Sequence, residues 1–142
     1  MPKNQSQEPW LVHFFQRHEH DDASRSVPSL DFLATLPQVI VAQFQSILDA
    51  VAGAPPPAFS GGGKWEAMHG SMSGIFEIRV QGAGQNHRLF CLLERNAVDL
   101  GGASIVVLDG LSKPKRRAAN QRDYERVLIH RSEFTARRTV LE

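Results

Sequence analysis

The chain has one cysteine, Cys91, one tyrosine, Tyr124, and two tryptophans among its 142 residues. A single cysteine closes no internal disulfide and supplies no cysteine set for structural zinc, which fits a reducing, cytoplasmic setting. No apolar run approaches the roughly 20 residues needed to cross a bilayer, so no membrane span is expected. The N-terminus, Met1 to Pro9, is polar and lacks the apolar core of a secretory leader. Hydrophobic residues make up 42% of the chain and charged residues 22%. That composition argues against global disorder. What remains is one domain over residues 1–142, with 1–9 as a flexible lead-in.

The formal charge of +1 conceals an asymmetry. Residues 1–112 carry seven Lys/Arg against eleven Asp/Glu, whereas residues 113–142 carry nine against four. A basic segment on an otherwise acidic chain reads either as a localised anion-binding surface or as a solvated, arginine-rich terminal helix.

Trp10 to Phe15 is aromatic and β-branched and predicts a short buried strand. His18-Glu19-His20-Asp21-Asp22 reads as a solvated polar loop. Two histidines and two carboxylates are a weak metal signal without further ligands, and no metal is expected there. A short helix is expected from Val27-Pro28-Ser29, capped near Ser29 or Asp31, with Leu30, Leu33 and Leu36 inward. Pro37 suits the first turn of a second helix, in which Ile40, Phe44, Ile47, Leu48 and Val51 form one apolar stripe. Gly53 and the Ala54–Pro57 run end it. Gly61-Gly62-Gly63-Lys64 lacks the Gly-Lys-Ser/Thr ending of a phosphate-binding loop.

The period then changes from helical to alternating. In Ile75–Val80, Phe76, Ile78 and Val80 face one way, Glu77 and Arg79 the other. His87–Leu93 and Ser104–Leu108 are further strands, and short Gly/Asn turns make the three an antiparallel meander. A last helix begins near Ala118, with Tyr124, Val127, Leu128 and Phe134 inward and Arg122, Arg126 and Arg137 outward. The order strand, helix, helix, three strands, helix predicts an α+β fold with its helices packed on one face of a twisted sheet.

Arg79 and Arg88 lie inside predicted strands, where an arginine is costly unless its head reaches water, a carboxylate or a bound anion. Taken singly, each reads as a cross-strand ion pair, for instance with Glu77 or Glu94. Lys113, Lys115, Arg116 and Arg117 follow directly on the last strand. Convergence of these cations on one concave face would suit a phosphate backbone and a phosphorane-like transition state.

Met68-His69-Gly70, then Ile75-Phe76-Glu77-Ile78-Arg79, then Asn86-His87-Arg88-Leu89-Phe90, then Val107 to Lys115 and a helix, resemble in order the RelE/ParE toxin superfamily. The likeness is to its HigB-like, phage-derived branch, and covers roughly residues 37–135. It implies a RelE-like fold and ribosome-dependent endoribonuclease activity on mRNA, with the RNA 2′-hydroxyl as nucleophile and neither metal nor small-molecule cofactor. The partners implied are the ribosome, mRNA and a helix-turn-helix antitoxin. By the same resemblance Arg79 and Arg88 would bind the scissile phosphate and Lys113 would stabilise charge or move a proton. Lys115, Arg116 and Arg117 would hold RNA backbone. Arginine is a poor base, so His69, just before the strand that carries Arg79, is the candidate for proton transfer. His87 points away from Arg88 by alternation, and Tyr124 reads as core. Relatives with this fold also include gyrase inhibitors, so a non-catalytic binder or a decayed phage-derived protein are the other readings.

Overall fold

A computed structural model describes residues 8–55 and 63–142. Most of the lead-in and of the Pro/Gly-rich loop, Gly61 and Gly62 included, lies outside those residues. The elements in chain order are β1 (Leu11–Phe14), α1 (Pro28–Leu33), α2 (Gln38–Gly53), β2 (Trp65–Ala67), β3 (Phe76–Gly82), β4 (Gln85–Glu94), β5 (Ser104–Pro114) and α3 (Gln121–Arg137). Among them no helix is long and apolar enough to cross a membrane.

The class is α+β, built on a five-stranded mixed sheet in the order β1-β5-β4-β3-β2. β2 to β5 form an antiparallel meander, and β1 lies parallel to β5 at the edge. The sequence signals three of the meander's strands but not β2. That strand is three residues long, and only Trp65 of the three is buried.

Ile40, Phe44, Leu48 and Val51 of α2 pack on Ile78, Val80, Leu89, Cys91, Ile105 and Val107. This is the apolar stripe the helical spacing predicts. α1 starts at Pro28 without a side-chain cap, and Ser29 is fully buried, so neither Ser29 nor Asp31 caps it. α1 crosses β5 so closely that a Cβ on Gly110 would sit inside the Phe32 ring.

The expectation that all helices share one face is corrected. α3 covers the opposite face, where Val127 and Phe134 meet Phe15, Met72, Ile75, Phe90, Leu92, Val106 and Leu108. The cause lies in the central strands. β4 and β5 are apolar on both sides, and a sheet apolar on both sides must be covered on both. The start of α3 is also later than expected. Asn120 and Asp123 form a capping box there, each side chain accepting from the other's backbone amide. The Asn120 side chain accepts at 3.2 Å and the Asp123 side chain at 2.8 Å.

One irregularity decides where the charges go. Phe90 pairs with Asp109 but Cys91 pairs with Val107, so Leu108 is an extra residue and β5 bulges there. A bulge inverts the alternation beyond it. Val106 and Leu108 face α3 in the regular part of the strand, and past the bulge so do Asp109, Leu111 and Lys113. Without the extra residue, Lys113 would face α2.

Candidate functional site

On the α3 side of the sheet, β2, the following turn, β3, β4 and the start of α3 enclose a cavity of about 470 Å³. Its polar lining comes from Glu66, His69, Glu77, Arg79, Arg88 and Tyr124. The register explains this gathering. Glu66 lies directly opposite Glu77, and Arg79 directly opposite Arg88. Like charges facing one another across strands repel. Here the two rows are adjacent, and each pair neutralises the other.

Glu77 is almost wholly buried and serves both guanidiniums. Arg79 donates from Nε to Glu77 Oε1, and Arg88 from Nη1 to Glu77 Oε2 at 3.1 Å. Arg79 Nη1 also lies 3.2 Å from Glu66. The bond to Glu77 raises the Arg79 pKa further above its already high ordinary value, so the group stays a cation. Arg88 Nη1 also donates to the Tyr124 hydroxyl at 3.0 Å, and its buried Nε has no partner among the described residues. Tyr124 packs edge-on against Phe90 at 5.9 Å, and burial raises its pKa above the usual phenol value. It is therefore both core and wall of the cavity, where its sequence pattern predicts core alone. His69 is exposed at the rim, held by the turn that leads into Gly70–Met72.

Of the cations and the histidine singled out in the sequence, Arg79, Arg88 and His69 thus meet in one cavity. Lys113 shares their face but not the lining, since its Nζ is 2.7 Å from Asp123 Oδ1. That contact, with the Asn120 amide, holds the Asp123 carboxyl below the usual range. Lys115, Arg116 and Arg117 are exposed in the link from β5 to α3, beside the β3–β4 turn, where the Lys115 amide bonds to Gly84 O. They flank the cavity without lining it. His87 faces away from Arg88, as alternation requires, and is buried between Ser112 Oγ at 2.7 Å and Gly82 O at 3.0 Å.

The sequence offers Glu77 or Glu94 as ion-pair partners for Arg79 and Arg88, and the structure gives both arginines Glu77; the sequence did not place Glu66 at the site. Glu77 was visible as the one acidic residue two positions before Arg79, but nothing in the chain marks it as buried. Glu66 lies on the strand the sequence does not signal. A second network also escaped it. Asp109 accepts from His130 Nδ1 at 2.7 Å and from Arg126 at 2.9 and 3.1 Å. Arg126, expected to point outward, reaches back to the sheet instead, and Arg137 reaches Asp21. The loop with His18 and His20 is therefore not free. Arg17, at its start, forms a two-pronged pair with Glu133 of α3 at 2.8 and 2.9 Å.

A larger groove of about 720 Å³ runs between α1, α2 and β1, but Asp49 is its only ionisable lining residue. It offers no chemistry comparable to the charged cavity. Comparison of the chain with protein-family models, with curated proteins and with solved structures finds no match.

Proposed function

We propose that the charged cavity is the active site of a metal-independent endoribonuclease that cuts mRNA through the 2′-hydroxyl. In this reading the chain is a RelE-like toxin, ribosome-dependent and restrained by a helix-turn-helix antitoxin. The observation that carries the proposal is the meeting of Arg79, Arg88, His69, Glu77 and Tyr124 around one cavity. Attack by a 2′-hydroxyl needs a proton acceptor, fixed positive charge for the phosphorane and a donor for the 5′-oxygen. Arg79 and Arg88 supply the charge, and Glu77 sets their guanidiniums side by side. His69, exposed at the rim, exchanges protons with the solvent and the substrate. Tyr124 helps fix the second guanidinium through the same Nη1 that donates to Glu77. Lys113, Lys115, Arg116 and Arg117 lie outside the cavity and are assigned to flanking phosphates.

The products of such a reaction carry 2′,3′-cyclic phosphate and 5′-hydroxyl ends. Incubation with translating ribosomes should give those ends at discrete positions, undiminished by a chelator. Arg88→Ala should lower the rate by about 100-fold or more, the usual loss of one transition-state donor, and His69→Ala by a similar factor. Intact transcripts with the unaltered protein would refute the assignment.

A second reading has its own support. Arg79, Arg88 and Lys113 each already hold a carboxylate, an arrangement that also suits a non-catalytic scaffold of the gyrase-inhibiting kind. Intact transcripts together with inhibited DNA supercoiling by gyrase would favour it.

A further inference from the structure

We propose that Glu66 is a built-in competitor for the substrate phosphate, occupying the exposed side of Arg79 until RNA displaces it. This rests on the nuclease reading of the cavity and adds a regulating residue to it. The two carboxylates on Arg79 are unlike. Glu77 is 1% exposed and shared with Arg88, so removing it takes a partner from two guanidiniums at once. Glu66 is 47% exposed at its side chain and, among the described residues, forms an ion pair with Arg79 alone, itself 49% exposed. An exposed pair of this kind is weak and exchanges readily with solvent. A guanidinium accepts a phosphate in the same geometry as a carboxylate, so the two are direct rivals for Nη1.

The position of Glu66 is held from behind. Trp65 is buried and stacks on Phe76, with ring centroids 5.1 Å apart and 12° between planes. Alternation then sends the next residue to the α3 side, into the cavity. There it stands directly opposite the buried Glu77, a placement that repels unless a cation lies between them. With Glu66 present, the two carboxylates balance the two arginines and the cavity has no net formal charge from these four. Its departure from Arg79 frees a cation for a polyanion.

The test is binding of a single-stranded oligoribonucleotide methylated at every 2′-oxygen, which cannot be cut. Glu66→Gln keeps shape and removes charge. It should tighten binding about two- to fivefold, the range set by an exposed ion pair. In an Arg79→Ala background the same change should have no effect. Tightening that persists without Arg79 would reduce Glu66 to a general repulsive charge and overturn the proposal. If Arg79→Ala weakens binding and Glu66→Gln changes nothing, the nuclease reading stands and the competitor falls. If neither the parent nor any variant binds the oligonucleotide, the competitor falls, and the nuclease reading is decided by the cleavage test on translating ribosomes.

Discussion

Both faces of the sheet bury an apolar cluster, but the α3 face adds a series of charged contacts that the α2 face lacks among the described residues. Beneath α2 the contact is dry and apolar, and Asp49 is the only charged residue in that helix. Over the other face, α3 carries seven Asp, Glu or Arg residues, and its polar contacts recur along its length. Lys113 meets Asp123, Arg88 meets Tyr124, Asp109 meets Arg126 and His130, Arg17 meets Glu133, and Asp21 meets Arg137. Apolar burial is non-directional and adds with area, whereas ion pairs bring little net stability but demand geometry. The α2 face therefore rests on apolar burial, the α3 face on apolar burial together with contacts that orient groups, and the candidate site lies on the second.

The largest effect should come from the dry face. Phe44→Ala empties space among residues with no polar alternative and should cost about 3–5 kcal/mol in urea unfolding. On the wet face, Asp109→Ala should cost about 1–3 kcal/mol, the penalty for stranding a buried polar partner. The stranded group is His130, while the half-exposed Arg126 turns to water. Replacing Asp109 and His130 together by leucine should recover much of that loss, as apolar substitutes for buried ionic groups often do. Equal costs for Phe44→Ala and Asp109→Ala would erase the distinction between the faces.

The same division explains what the sequence makes legible. Ile40, Phe44, Leu48 and Val51 repeat at helical spacing, and Phe76, Ile78 and Val80 alternate, so the apolar core could be read directly. The meander could be read for the same reason, and so could the existence of the first strand, though at the sheet edge its Leu11 is exposed and Val12 to Phe14 are only partly covered, not buried as the sequence predicts. The polar face could not. An arginine at position 79 looks the same whether its head is left to a phosphate or engaged by Glu77, and the addition of Arg88 and Glu66 to that pair is decided by cross-strand register rather than by the residue itself. The facing of the second half of β5 depends on the extra residue at Leu108, which no composition or periodicity announces. That bulge aims Asp109 at α3 and brings Lys113 round to the face of Arg79 and Arg88. Trp65-Glu66-Ala67 is too short to show a period at all, and so Glu66 went unseen.

Acid should separate the faces by pH. Burial opposes ionisation of Asp109, but hydrogen bonds from His130 and Arg126 outweigh it and hold its carboxyl below the ordinary 3.8. Asp123 is likewise depressed by Lys113 and the Asn120 amide. A carboxylate with a lowered folded pKa contributes stability that is present above the unfolded value and is lost as pH falls through the folded one. Docking of α3 should therefore weaken below about pH 4, with little change between pH 5 and 8 from these groups. Tyrosine fluorescence or near-ultraviolet dichroism of Tyr124 reports on α3, and Asp109→Asn should flatten its acid transition. An unchanged transition in that variant would remove Asp109 as its source.

The smallest effect, and the most discriminating, is that of salt. Raising ionic strength from about 0.01 to 1 M shortens the screening length from roughly 30 to 3 Å, which weakens exposed pairs and leaves apolar contact intact or strengthened. Arg137–Asp21 and Lys113–Asp123 lie one near each end of α3, and both partners of each keep some exposure to solvent. Val127, His130 and Phe134 between them are buried and shielded. Amide hydrogen exchange should therefore quicken first at the two ends of α3, by a few-fold, while its centre and the whole of α2 hold steady. Uniform quickening along both helices would mean that salt acts on global stability, and the contrast between an apolar face and one that adds charged contacts would lose its clearest physical signature.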